Sequence, residues 1–165
     1  MKKILLVLGV MALVTSCTTT KTYRINSKSY TQTQGTAVFT QKGKEVTMEI
    51  NAYKLSPGEH AIHIHEKGDC SATDASSAGG HWNPTSHDHG KWGEGEFHMG
   101  DIGNIKANAQ GTGQLVFKTD KWCLGCKDET KNIIGKSIVI HAAKDDFKTQ
   151  PTGNAGGRVG CIEIK

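Results

Sequence analysis

Apolar and polar residues alternate in short runs along this chain, and no window of helical length repeats with a 3.6-residue period. In Val46-Thr-Met-Glu-Ile50 every second residue is apolar, the pattern of a strand with one face buried. A strand over Thr36–Gln41 precedes it, across the turn Lys42-Gly43-Lys44, and the turn Leu55-Ser-Pro-Gly58 leads into a strand ending at His65. Asn104–Ala109 and Gln114–Lys118 flank Gln110-Gly111-Thr112-Gly113, a hairpin signal, and Lys136–His141 and Arg158–Ile164 supply the last strands. Three stretches without apolar periodicity interrupt them: Glu66–Asp101, Trp122–Gly135 and Ala142–Gly157. The expectation is an all-β domain, a Greek-key β-barrel or sandwich of immunoglobulin-like architecture with long loops at one end.

The N-terminus changes where that domain begins. Met1-Lys2-Lys3 and the apolar run Ile4–Val14 read as a signal peptide over residues 1–16, too short to span a bilayer as a mature helix. Its end, Val14-Thr-Ser-Cys17, resembles the lipobox of bacterial lipoproteins, which implies acyl chains on Cys17 and attachment to a membrane by lipid only. Residues 17–34, rich in Thr, Ser, Gln and Lys, read as a lipidated N-terminus and flexible tether, and 35–165 as the domain. Loss of Lys2 and Lys3 lowers the formal charge from +4 to +2, and no basic run is present, which argues against a nucleic-acid partner. With Cys17 assigned to lipid, Cys70, Cys123, Cys126 and Cys161 remain, an even number that in an exported chain suggests two disulfides with three pairings open.

Candidate chemistry sits in the histidines. On a strand His63 and His65 point to the same side, their backbones roughly 6.6 Å apart, so both imidazoles can reach one cation. Ile62 and Ile64 face the other way, and His60, which shares their parity, reads as a hydrogen-bonded core residue. His81, His87, His89, His98 and Asp101 follow within forty residues, and His141 ends another strand. A donor set of imidazoles with one carboxylate suits copper(II) or zinc and disfavours an iron–sulfur centre. Glu66–Asp101, too long for an unstructured loop in a compact domain, would take its order from the metal.

Ala61-Ile-His-Ile-His-Glu-Lys-Gly-Asp69 and Gly153-Asn-Ala-Gly-Gly-Arg-Val-Gly-Cys-Ile-Glu-Ile164 resemble the two signatures of the copper,zinc superoxide dismutases. Ser77-Ala-Gly-Gly-His-Trp-Asn-Pro84 and His98-Met-Gly-Asp-Ile-Gly-Asn104 are similar to that family's zinc-loop segments, so the resemblance covers the whole of 35–165. It implies copper on His63, His65, His81 and His141, zinc on His81, His89, His98 and Asp101, and His81 bridging the two. His87 and His89 compete for one zinc position, and the family's His-Gly pair, here His89-Gly90, selects His89. Asp145 resembles the carboxylate that joins a copper-ligand imidazole to a zinc-ligand one. Arg158 resembles the residue that guides the anion to copper, and Thr152 its companion at the channel. Cys70 and Cys161 resemble the family disulfide.

The implied activity is superoxide dismutation, an oxidoreductase reaction that yields oxygen and hydrogen peroxide. Arg158 and His81 would be its catalytic residues and superoxide its small-molecule substrate, with the enzyme in the bacterial cell envelope. A homodimer is left open. Trp122-Cys-Leu-Gly-Cys126 departs from the family's common core, and a local Cys123–Cys126 disulfide is the expectation there. The rival reading is an envelope copper buffer or metallochaperone of the same fold, with Cys123 and Cys126 as its transfer pair. The segment Ala142–Thr152 is shorter than in eukaryotic members, and Cys70–His81 longer, as in bacterial ones.

Overall fold

The computed structural model describes residues 18–165, so the expected signal peptide over 1–16 and Cys17 lie outside the described residues. Eight strands form the fold: β1 (Thr18–Ser27), β2 (Gln34–Lys42), β3 (Glu45–Tyr53), β4 (Gly58–His65), β5 (Asp101–Ala107), β6 (Gly113–Thr119), β7 (Ser137–His141) and β8 (Arg158–Glu163). They close in the antiparallel order β1-β2-β3-β6-β5-β4-β7-β8, and a single 3₁₀ turn, Ser76–Ala78, is the one helical element among the described residues. The β5–β6 seam is one residue pair, Ala107 with Gly113, and the β1–β8 seam two, so the barrel is two sheets joined at narrow edges. The all-β expectation holds, and each of the seven expected strands overlaps an observed one.

Alternation sets the core. Val46, Met48 and Ile50 of β3 point inward and meet Phe39 of β2, Ile62 and Ile64 of β4, Ile105 of β5, Ile138 and Ile140 of β7 and Ile162 of β8. On β4 the opposite side is covered too, since His63 and His65 are as buried as the isoleucines. His60 sits as expected, its Nδ1 2.8 Å from the carbonyl of His141 and its Nε2 2.8 Å from that of Ser56.

The tether reading of residues 17–34 is corrected from Thr18 onward. Thr18–Ser27 is β1, paired with β2 from Thr18–Lys42 to Ile25–Gly35 and with β8 through Asn26–Cys161 and Ser27–Gly160. The strand escapes an apolar-pattern reading because only Ile25 is buried. Its threonines favour extended backbone, and ladder hydrogen bonds need no apolar partner. The turn that follows is fastened as well: Ser29 N–H donates to the carbonyl of Thr73 and the Thr31 hydroxyl to that of Val159. Thr18–Ser27 is therefore part of the folded domain.

Candidate metal centre

Two strand irregularities aim the first histidines. The β4–β5 register shifts between Ile62 and His63, and the β7–β8 register between Ile140 and His141. Such shifts bend the strand and re-aim the side chain that follows. The zinc-loop candidates reach β4 through main-chain bonds: Ile64 N–H to Gly100 O at 2.9 Å, Trp82 N–H to Ile64 O at 2.8 Å and Gly100 N–H to Trp82 O at 3.0 Å. A side chain on Gly100 would start 2.2 Å from the Ile64 carbonyl oxygen, so this approach requires glycine. The triangle sets His81 opposite His65 and delivers Asp101 to the start of β5.

His63, His65, His81 and His141 offer one ring nitrogen each within 4.8 Å of one another, and His81, His89, His98 and a carboxylate oxygen of Asp101 form a second such group. All seven residues are buried. His87 is exposed and joins neither group. The rings of His63 and His81 lie 4.0 Å apart, and His81 is 5.3 Å from His89 and 5.4 Å from His98.

Outer hydrogen bonds decide which nitrogen each ring turns inward. His63 donates from Nε2 to Asp145 Oδ2 at 2.8 Å, which leaves Nδ1 bare. His65 and His141 donate from Nδ1 to the carbonyls of Gly79 at 2.9 Å and Gly156 at 3.3 Å, which leaves both Nε2 atoms bare and 3.4 Å apart. His89 donates from Nε2 to Asp145 Oδ1 at 2.9 Å, and its Nδ1 lies 3.0 Å from Asp101 Oδ2. Asp145 thus spans the two groups. His81 Nδ1 sits 2.8 Å from Asp101 Oδ1 and 3.3 Å from His98 Nδ1, in the second group, while its Nε2 is left for the first.

Two buried ring nitrogens at this place, His63 Nδ1 and His81 Nε2, have no partner among the described residues. An unmet buried polar atom costs about 1 to 3 kcal/mol, so two at one place call for a shared acceptor of lone pairs. Cations at the two centres fit that need. An all-imidazole set suits copper, and three nitrogens with one oxygen make a closed set suited to structural zinc.

The electrostatics agree for the all-histidine group. Burial pushes His65 well below its usual range, His81 down to about 4 and His141 to about 3, so these rings stay neutral and keep a lone pair to give. Burial opposes ionisation of Asp101, but hydrogen bonds from His81, His89 and His98 hold its carboxyl well below the usual range. Asp145 is held low against burial by His63 and His89. Burial also opposes a proton on His89, yet Asp101 and Asp145 together raise it to about 9.

Arg158 opens β8, half-buried, with its guanidinium donating to the carbonyls of Ala75 at 2.6 Å and Gly79 at 2.7 Å. Cys70–Cys161 and Cys123–Cys126 are both disulfides, the first enclosing a separation of 91 residues. Thr152 is half-buried. Main-chain and amide partners carried no sequence signal. The Gly79 carbonyl and the side-chain amides of Asn104 and Gln150 are all at the site without having been foreseen. Asn104 pairs with both main-chain groups of Asp145, at 2.7 and 3.1 Å.

A family model described as copper/zinc superoxide dismutase (SODC) matches residues 33–164. A Cu-Zn extracellular superoxide dismutase of Drosophila melanogaster is 38% identical over 145 residues, covering 79% of this chain and 75% of that protein. One from Caenorhabditis elegans is 38% identical over 140 residues, covering 81% of this chain and 62% of the nematode protein, so the chain spans less than two thirds of that relative. The crystal structure of a SOD-like protein from Bacillus subtilis aligns with a TM-score of 0.77 at 29% identity, over 87% of this chain and 97% of the other.

Proposed function

Because this chain belongs to the copper/zinc superoxide dismutase family, we propose that it dismutates superoxide, two radical anions and two protons giving one oxygen and one hydrogen peroxide. His63, His65, His81 and His141 would hold copper, and His81, His89, His98 and Asp101 zinc. When bound, copper supplies a one-electron couple and zinc a fixed positive charge.

The single observation that carries this reading is His81. Its Nδ1 belongs to the carboxylate-containing group, and its Nε2 is buried without a protein partner beside the all-histidine group. A ring with one nitrogen in each group can keep both centres in fixed relation and can hold a proton at Nε2 near the substrate. His63, His65 and His141 are locked by Asp145 Oδ2 and the Gly79 and Gly156 carbonyls, so little reorganisation accompanies the reaction. Arg158 keeps N–H groups beyond the two that bind carbonyls, and these can orient a diatomic anion. Protein loaded with copper and zinc should accelerate superoxide decay; a fully metallated sample no faster than buffer would sink the assignment.

The rival reading, a copper carrier that uses Cys123 and Cys126, is disfavoured because the pair is closed as a disulfide and offers no thiolate. We further propose an envelope enzyme with acyl chains on Cys17. Two disulfides and the extracellular relatives support export. With β1 starting at Thr18, an acylated Cys17 would hold the barrel directly against the bilayer. Labelling with a fatty-acid analogue that is lost in Cys17→Ser tests this.

A further inference from the structure

We infer that Gln150 is a positioning residue for the zinc centre, acting through the main chain of His89. The inference rests on the metal reading above. His89 lies in an irregular loop where no strand neighbour satisfies its peptide groups. Both go to one side chain: His89 N–H donates to Gln150 Oε1 at 2.9 Å, and Gln150 Nε2 donates to the His89 carbonyl at 2.9 Å. A glutamine amide carries a donor and an acceptor side by side, as a peptide group does, so it pairs with a residue as a strand partner would.

The far end of the same residue is fixed independently. The His89 ring donates to Asp145, whose own main-chain N–H and carbonyl are paired with the amide of Asn104. His89 is therefore held at backbone and ring by two side chains of one loop, that between β7 and β8, although the residue itself belongs to the loop between β4 and β5. Gly153 makes this possible. A side chain there would start 1.9 Å from Asp145 Oδ1 and 2.6 Å from His89 Nε2, and its φ of +67° suits glycine.

The turn that carries Gln150 does not depend on His89 for its shape. Asp146 accepts from the N–H groups of Lys148 and Thr149 and from the Thr149 hydroxyl, Asp146 N–H donates to the Gly153 carbonyl, and Gly153 N–H to that of Thr149. Gln150 is itself exposed. Removing its amide should leave the turn and the barrel intact and free only the His89 main chain. Partners that orient a metal ligand typically contribute 10- to 100-fold in metal affinity.

The test compares wild type with Gln150→Ala, Gln150→Met, which keeps the length without the amide, and Gln150→Glu, which keeps the acceptor and drops the donor. Zinc affinity is read by chelator competition, site geometry by the visible bands of cobalt(II) in its place, and the His89 amide by hydrogen exchange in the metal-free protein. We expect Gln150→Ala and Gln150→Met to lose about tenfold in zinc affinity. Their cobalt bands should shift, His89 should exchange faster, and copper affinity and the metal-free Tm should stay unchanged, with Gln150→Glu intermediate. Zinc affinity equal to wild type overturns the inference, as does a parallel loss of copper affinity and Tm, which marks a general structural role. Wild type that binds no zinc instead overturns the metal reading itself.

Discussion

His65 and Arg158 converge on one acceptor, the carbonyl oxygen of Gly79, at 2.9 Å from the imidazole Nδ1 and 2.7 Å from the guanidinium. The Ala75 carbonyl takes a second guanidinium nitrogen at 2.6 Å. The fixed cation is thereby indexed to the same peptide group as a candidate copper ligand. Cys70–Cys161 ties that loop to the strand Arg158 opens.

From this placement, Arg158→Gln should keep both metals but lower kcat/KM for superoxide about tenfold, and its rate should depend less on ionic strength. Fast mixing across a salt series measures both. A variant as fast and as salt-sensitive as the parent removes Arg158 from anion guidance.

Asp145 holds His63 and His89 at once, so its loss should be felt in both groups. Asp145→Asn keeps the shape, yet can accept from only one of the two imidazoles without reorientation. Zinc affinity should fall between about 10- and 100-fold, with a smaller loss for copper. Chelator competition checks this, and unchanged zinc affinity would count against the bridge.

The two disulfides should differ in energetic weight. Cys70–Cys161 encloses a separation of 91 residues and should contribute roughly 4 to 5 kcal/mol in the chain-entropy account. Cys123–Cys126, with a separation of 3, should contribute at most about 2 kcal/mol. Asn132 also closes that loop, through its Oδ1 to the N–H groups of Gly125 and Ile134. Denaturant unfolding of Cys→Ser pairs in the metal-free protein should rank them in this order.

The metal-free protein should be most stable near pH 6.5 and lose stability on either side. His65, His81 and His141 are depressed in the fold, so the unfolded chain takes up their protons first as pH falls below 6.5, and stability declines towards about 4 and 3. Asp101 and Asp145 are depressed as well, and their contribution, present above the ordinary carboxyl value of 3.8, is lost as pH falls further. His89 is raised, so its contribution is complete below 6.5 and lost as pH rises through about 9. Tm measured across this range should be dome-shaped; a Tm rising steadily into acid contradicts the assigned protonation states.

Period-two alternation was enough to place most of the barrel, because inward residues such as Met48 and Ile62 are chosen for burial wherever a strand runs. It failed for β1, where Thr18–Ser27 buries one apolar residue and is held by backbone pairing that side-chain types do not record. Histidine identity and order, read against family motifs, named all seven candidate ligands, because donor chemistry is a property of the residue. The family's His-Gly pair selected His89 over His87, and the structure has His89 buried and His87 exposed; geometry alone chose which nitrogen each ring offers. Those choices are made by hydrogen bonds to residues far along the chain. Asp145 lies 82 positions from His63 and 56 from His89, and the Gln150 amide and the Gly79 carbonyl reach the site only once the loops have closed over β4.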